Sequence, residues 1–209
     1  MNIFNNLPHP ILRWLKHHYQ LLQLPQWRRR GRPMPPPHLI KVAHVKYCAC
    51  VYQTTLFVET GTFMGDMLDE VKYAFSFLLS IELFEPLYDR ARQIFQSQPH
   101  VHILQGDSGE LMPLIVSKLP RPALFWLDAH YSGIGTGRGT NDTPILKELK
   151  AIFASKFPHL VLIDDARLFV GQESYPTLEE VKTFVQRVAP TYRVVVCDDI
   201  IHLLPPLQP

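Results

Sequence analysis

Three cysteines in 209 residues leave no material for a disulfide scaffold. Cys48, Cys50 and Cys197 form an odd, sparse set of the kind kept reduced, and Cys48-x-Cys50 lacks metal-finger spacing. Long apolar runs are missing too. None reaches the roughly 18 residues that a membrane span needs, and the N-terminus lacks the basic, apolar, small-residue order of a signal peptide. A soluble, cytoplasmic protein is expected. There is no surplus of one charge: 21 Lys and Arg stand against 19 Asp and Glu, too even a balance for a dedicated nucleic-acid binder. No internal repeat is visible, and the length suits one substantial core with no second full domain.

What is present begins with an N-terminal extension. Over residues 1 to about 24, Ile11, Leu15, Tyr19 and Leu22 share one helical face while Arg13, Lys16 and His17 lie elsewhere, which predicts a short amphipathic helix. It can pack on the domain or on a partner, including a second copy in a homodimer. Trp27-Arg28-Arg29-Arg30-Gly31-Arg32 then runs into prolines, reading as a linker or arm. A nucleic-acid or acidic-lipid patch there needs more basic residues than the whole chain supplies. The expected division is an arm over 1–38 and a domain over 39–209. Ile40, Ala43, Tyr47 and Val51 predict a helix over 39–51.

From Thr55 the pattern alternates strand and helix, the signature of a parallel sheet covered on both faces. Strands are predicted near 55–59, 78–82, 101–105, 123–128 and 159–164, with helices near 64–75, 86–96, 109–118 and 144–155. Pro86 and Pro144 fall where a first helical turn tolerates a missing N–H. Thr177-Leu178-Glu179-Glu180 has capping-box form and opens a last helix with Leu178, Val181, Val185 and Val188 inward. Two apolar runs, 192–197 and 200–204, flank Asp198-Asp199 as a hairpin, so one strand runs against the others.

Ligands of an open α/β sheet bind at the carboxyl ends of the strands, and that edge is acidic here. Glu59 and Glu82 end strands one and two, Gly106-Asp107-Ser108 follows strand three, Asp128 ends strand four, and Asp164-Asp165 ends strand five. Gathered carboxylates repel one another and call for hydrogen bonds, a cation or a polar ligand. Asp128, Asp164 and Asp165, on strands expected to be neighbours, are hard oxygen donors suited to Mg²⁺. As ordinary caps or turn residues they would need no metal. Gly61 and Gly65, four apart after a buried strand, let backbone approach a ligand and let a helix pack tightly. Asp107 with Glu110 also fits a helix cap. Gly133, Gly135, Gly137 and Gly139 make the segment after Asp128 a candidate lid. His130, two residues past Asp128, is placed to take a hydroxyl proton. Arg138 and Arg167 are weaker candidates for an anionic substrate group.

Glu59-Thr60-Gly61-Thr62-Phe63-Met64-Gly65, with Glu82 closing the next strand, resembles class I S-adenosylmethionine-dependent methyltransferases. It departs from them at Phe63, where the family often has a middle glycine, as do metal-dependent O-methyltransferases of the catechol and macrocin type. The run 126–133, with Asp142-Thr143-Pro144-Ile145 and 163–169, is also similar to a bacterial methyltransferase-like group without assigned substrate. The resemblance covers roughly 39–204 and implies a Rossmann-like sheet in the order 3-2-1-4-5-7-6 with strand seven antiparallel.

The resemblance further implies S-adenosylmethionine along Gly61, Gly65, Glu82, Asp107 and Ser108. Glu82 would hold the ribose and Asp107 the adenine amino group. Glu59 would hold loop backbone or a water at the methionine amino group. Asp128, Asp164 and Asp165 would hold a divalent metal. The activity implied is O-methylation of a small-molecule hydroxyl, with His130 and Asp128 catalytic. A metal-independent enzyme using those two residues, and a cofactor-binding module without turnover, are the alternatives. A dehydrogenase would want Gly-x-Gly-x-x-Gly and further parallel strands.

Overall fold

The computed structural model describes residues 9–128, 144–172 and 174–207. Among them run α1 (His9–Arg29), α2 (His38–Val51), β1 (Leu56–Thr60), α3 (Asp66–Val71), β2 (Phe77–Glu82), α4 (Glu85–Phe95), β3 (Val101–Gln105) and α5 (Ser108–Lys118). There follow β4 (Leu124–Leu127), α6 (Ile145–Phe153), β5 (Leu160–Ile163), α7 (Leu178–Val188), β6 (Arg193–Cys197) and β7 (Ile200–Leu204), with a 3₁₀ turn Ala166–Leu168 after β5.

The seven strands form one sheet in the order β3-β2-β1-β4-β5-β7-β6. β1 to β5 are parallel, while β7 runs antiparallel between β5 and β6. This is the class I methyltransferase fold, with the strand order that the resemblance implied and the reversal expected from the final hairpin. Successive side chains on a strand face opposite sides, and β4 illustrates the result. Phe125 and Leu127 enter the core beneath α5, α6 and α7, whereas Leu124 and Trp126 enter the core shared with α2, α3 and α4.

Several helices differ from expectation for identifiable reasons. α3 is shorter than 64–75, because Gly65 at φ 78° is its N-cap and the chain turns after Val71. α2 buries Val42, Val45, Cys48 and Ala49 and leaves Tyr47 and Val51 exposed, so its packed face is rotated from the Ile40, Ala43, Tyr47, Val51 stripe. In α7 the Thr177–Glu180 capping box forms and Val181 and Val185 are buried, but Val188 is exposed. α1 continues past Pro25 to Arg29, taking in part of the segment expected as a linker. Gly31 at φ 81° ends it, with Arg32 N–H returning to Trp27 O. The Trp27 indole is buried and donates to Pro33 O at 2.8 Å.

Candidate functional site

The carboxyl edge of the sheet falls into two parts. At the first, β1 leads into the Gly61–Gly65 turn, and both glycines take left-handed backbone, at φ 82° and 78°. A Cβ on Gly65 would stand 3.0 Å from the Phe95 ring, so the turn and the packing of α4 both require its absence. Phe63 also has positive φ, 47°. The turn thus keeps the backbone that a glycine would give, and the departure from the family pattern is confined to an exposed side chain.

Glu82 is buried at the end of β2 and fastens this turn. Its Oε2 accepts from Phe63 N–H at 2.8 Å and its Oε1 from Phe84 N–H at 2.9 Å, just before α4. Glu59 is buried beneath the turn in a hydroxyl chain: Thr62 Oγ1 lies 2.6 Å from Ser80 Oγ, which donates to Glu59 Oε2 at 2.5 Å. Burial raises the Glu59 pKa well above the usual carboxylate range, although the Ser80 bond opposes this. Asp107 caps α5, its Oδ1 accepting from Gly109 N–H at 2.8 Å. Ser108 turns away and donates to Glu148 Oε1 at 2.5 Å.

Glu148, on α6, escaped the sequence reading. Its pKa is pushed up to about 7 by burial, against hydrogen bonds from Ser108 and Thr60. The available signal was a carboxylate within the buried stripe of Ile145, Leu149 and Ile152.

The second part stands at the ends of β4 and β5. Asp128, Asp164 and Asp165 each present a carboxylate oxygen, and these lie within 4.8 Å of one another. Parallel pairing of Leu127 with Ile163 brings the strand ends level, and Asp128 N–H is held by Thr60 O at 3.1 Å. Burial, followed by Asp128, pushes the Asp164 pKa up to about 8, with Lys41 opposing.

Lys41, on α2, was not foreseen: its ammonium donates to Asp164 Oδ2 at 2.5 Å and to Asp165 Oδ1 at 3.2 Å. Burial acts against that ammonium, but the two carboxylates outweigh it and its pKa is raised, so Lys41 is a fixed cation. Arg167 donates to Asp165 Oδ1 at 2.8 Å and pairs with Asp199, tying the β6–β7 hairpin to the 3₁₀ turn. Its guanidinium is thus engaged within the protein. Burial raises the pKa of the Tyr175 phenol, and the negative charges of Asp165, Asp128 and Asp164 add to the rise.

The three aspartates match a hard divalent cation in donor type and proximity. Lys41 competes with such an ion for Asp164 and Asp165. His130, Arg138 and the glycine-rich segment 129–143 lie outside the described residues. A separate group, His44, Cys197 and Asp198, also comes together. There His44 Nε2 and Asp198 Oδ2 already bond directly at 3.0 Å.

No protein-family model matches the chain, and no curated protein matches it in sequence. Solved structures do. A putative caffeoyl-CoA O-methyltransferase from Staphylococcus aureus superposes with TM-score 0.55 at 14% identity, over 93% of this chain and 98% of that one. The O-methyltransferase TomG from Streptomyces achromogenes, in complex with S-adenosylmethionine, gives TM-score 0.57 at 16% identity over 86% of each chain. The S-adenosylhomocysteine-bound Podospora anserina methyltransferase PaMTH1 gives 0.57 at 13% identity, over 96% of this chain and 89% of that one. At these identities the likeness establishes the fold.

Proposed function

We propose that this protein is an S-adenosylmethionine-dependent methyltransferase acting on a small-molecule hydroxyl, with 39–209 as catalytic domain and 1–38 as an appended arm. The observation that carries the reading is one sheet edge with two adjoining features. A glycine turn is fastened by Glu82, and three carboxylates lie within 4.8 Å beside it. Each Glu82 oxygen accepts one backbone N–H and retains lone-pair capacity for ribose hydroxyls. Gly61 and Gly65 offer the amino-acid moiety backbone without a side chain at two points of the turn. Asp107 caps with Oδ1, and in this reading its Oδ2 would take the adenine amino group, with Ser108 and Glu148 supporting that end. Glu59, sequestered under the turn with Ser80, acts on loop shape. Bound S-adenosylmethionine supplies an electrophilic sulfonium methyl, and the chain's contribution is to align the acceptor oxygen with it.

Asp128, Asp164 and Asp165 would hold Mg²⁺, which would supply electrostatic stabilisation of negative charge developing on the acceptor oxygen. His130 would accept the hydroxyl proton. One observation favours a metal-independent second reading: the Lys41 ammonium already stands at Asp164 and Asp165. In that version Lys41 supplies the compensating charge, while His130 and Asp128 orient and deprotonate the acceptor.

Calorimetric titration of S-adenosylhomocysteine into chelator-treated protein tests the core of the proposal. Saturable binding that Glu82→Ala abolishes is the expected result. A folded wild-type protein that binds no S-adenosylhomocysteine, with or without Mg²⁺, overturns it.

A further inference from the structure

The even net charge conceals a segregated one. No Asp or Glu occurs before Glu59, so all 19 acidic residues lie from Glu59 onward, while Arg13, Lys16, Arg28, Arg29, Arg30 and Arg32 crowd the N-terminal arm. The arm is also attached the opposite way round from an ordinary amphipathic helix. α1 docks on α3 through its polar face: Arg13 Nε pairs with Asp69 at 2.5 Å, Lys16 with Asp66 at 3.0 Å and His17 with Glu70 at 2.9 Å. Trp27, at the far end of the helix, is buried on that side.

The outward face therefore carries large apolar side chains, with His18 stacked against Trp14 among them. Ile11, Trp14, Leu21 and Leu22 stand exposed at helical spacing, Tyr19 lies on their flank, and Leu22 reaches 78% exposure. Arg28, Arg29, Arg30 and Arg32 are exposed at the C-terminal end of the same helix. No described helix is long and apolar enough to cross a membrane.

We propose that α1 is an interfacial anchor that lays its Ile11, Trp14 and Leu22 face into an anionic lipid surface, with the Arg28–Arg32 cluster on the headgroups. Each element of the arrangement suits that occupant. An apolar stripe with Trp and Tyr partitions to the boundary between headgroups and acyl chains, where amphipathic rings are favoured. Arginines near a negative leaflet each contribute a factor of about five in affinity. The polar face, which a free amphipathic helix would turn to water, is instead occupied by the protein body. A second copy fits less well, because α1 offers no carboxylate to meet the arginines of its twin. Nucleic acid fits less well, because phosphates have no use for exposed Ile11 and Leu22. The inference does not depend on methyl transfer.

The protein carries its own probe. Of its tryptophans, Trp14 is 59% exposed, whereas Trp27 and Trp126 are 7% and 1% exposed. The experiment mixes full-length protein with phosphatidylcholine vesicles, with and without phosphatidylglycerol, and reads flotation and tryptophan emission at low and high salt. Expected are flotation with the anionic vesicles only, a blue shift absent in Trp14→Phe, and weakening by salt. Leu22→Glu should reduce partitioning by at least about tenfold, and Arg28, Arg29 and Arg30→Gln together by on the order of a hundredfold. Circular dichroism checks that the folds are retained, and exposed positions make that the expected result. Three outcomes overturn the inference: no anionic preference, variants that float like wild type, or salt-sensitive binding to polyuridylate without vesicle binding. So would a vesicle-free dimer whose Trp14 emission is already blue-shifted and which Leu22→Glu dissociates.

Discussion

The two ends of the acidic edge handle the same problem in different ways. Around β1 to β3, carboxylates are answered by the protein's own donors: two backbone amides at Glu82, a serine at Glu59 and a capping amide at Asp107. At β4 and β5, three aspartates face one another, and the principal answer is a lysine from a distant helix. The first end is pre-organised, and in the proposed function it would offer hydrogen bonds to an uncharged polyol and a purine. The second end is electrostatically stressed and suited to a cation. A site for methyl transfer to a hydroxyl needs both, a rigid cradle for the donor and a charge-adjustable seat for the acceptor.

The largest effect is expected where the cradle depends on one residue. Glu82→Ala leaves the Phe63 and Phe84 amides without their acceptor. Hydrogen bonds to charged groups contribute about 1.5–3 kcal/mol each, so denaturant unfolding should register a loss of about 3–5 kcal/mol. S-adenosylhomocysteine binding should fall at least about a hundredfold. Were only binding lost and stability unchanged, the fastening role would be wrong.

Lys41→Met attacks the other end. Removing one partner of a largely buried ion pair costs up to about 3–5 kcal/mol, and the partial exposure of Lys41 places the loss at about 2–3 kcal/mol. Thermal unfolding with added Mg²⁺ should recover most of it, since the ion replaces the ammonium. Failure of Mg²⁺ to recover stability would favour the metal-independent reading.

Glu148 adds a buried acid to the first end, hydrogen-bonded by Ser108 and Thr60. Its folded pKa, near 7, is above the ordinary carboxylate value of 4.5, so between these two values the folded protein holds a proton that the unfolded chain has lost. Stability therefore falls as pH rises through this window and levels off above it. Glu148→Gln removes the decline. Melting curves should show no gain below about pH 4.5 and a gain of up to about 3 kcal/mol above about pH 7. A gain that is equal at both ends would contradict the assignment.

The smallest effect concerns Phe63, held in left-handed backbone. Phe63→Gly should leave S-adenosylhomocysteine affinity unchanged and alter stability by less than about 1 kcal/mol, since relief of strain is offset by the entropy of glycine. A marked change in affinity would give the exposed ring a role in binding.

Much of this edge was legible in the sequence because an acidic residue after an apolar run marks a strand end, and strand ends in a parallel sheet share one side. The seven strands, the capping box at Thr177 and the acidic residues from Glu59 to Asp165 all follow from that local pattern. Partners brought from afar do not. Lys41 meets Asp164 across 123 positions, and nothing near either residue announces the pairing. Glu148 hid inside an apolar stripe, where a charge is easily read as a surface residue. The sequence leaves open which face of α1 meets the domain, for a related reason. The rule that apolar faces turn inward yields where Asp69 and Asp66 offer ion pairs to Arg13 and Lys16 and Glu70 a hydrogen-bond contact to His17.

The contrast between a completed cradle and a cation seat is tested most directly by titrating Mg²⁺ into chelator-treated protein saturated with S-adenosylhomocysteine, alongside Asp164→Ala. The account predicts a saturable heat in the wild type that is absent from the variant. No heat in the wild type, and none in Lys41→Met where the competing ammonium is gone, would contradict it.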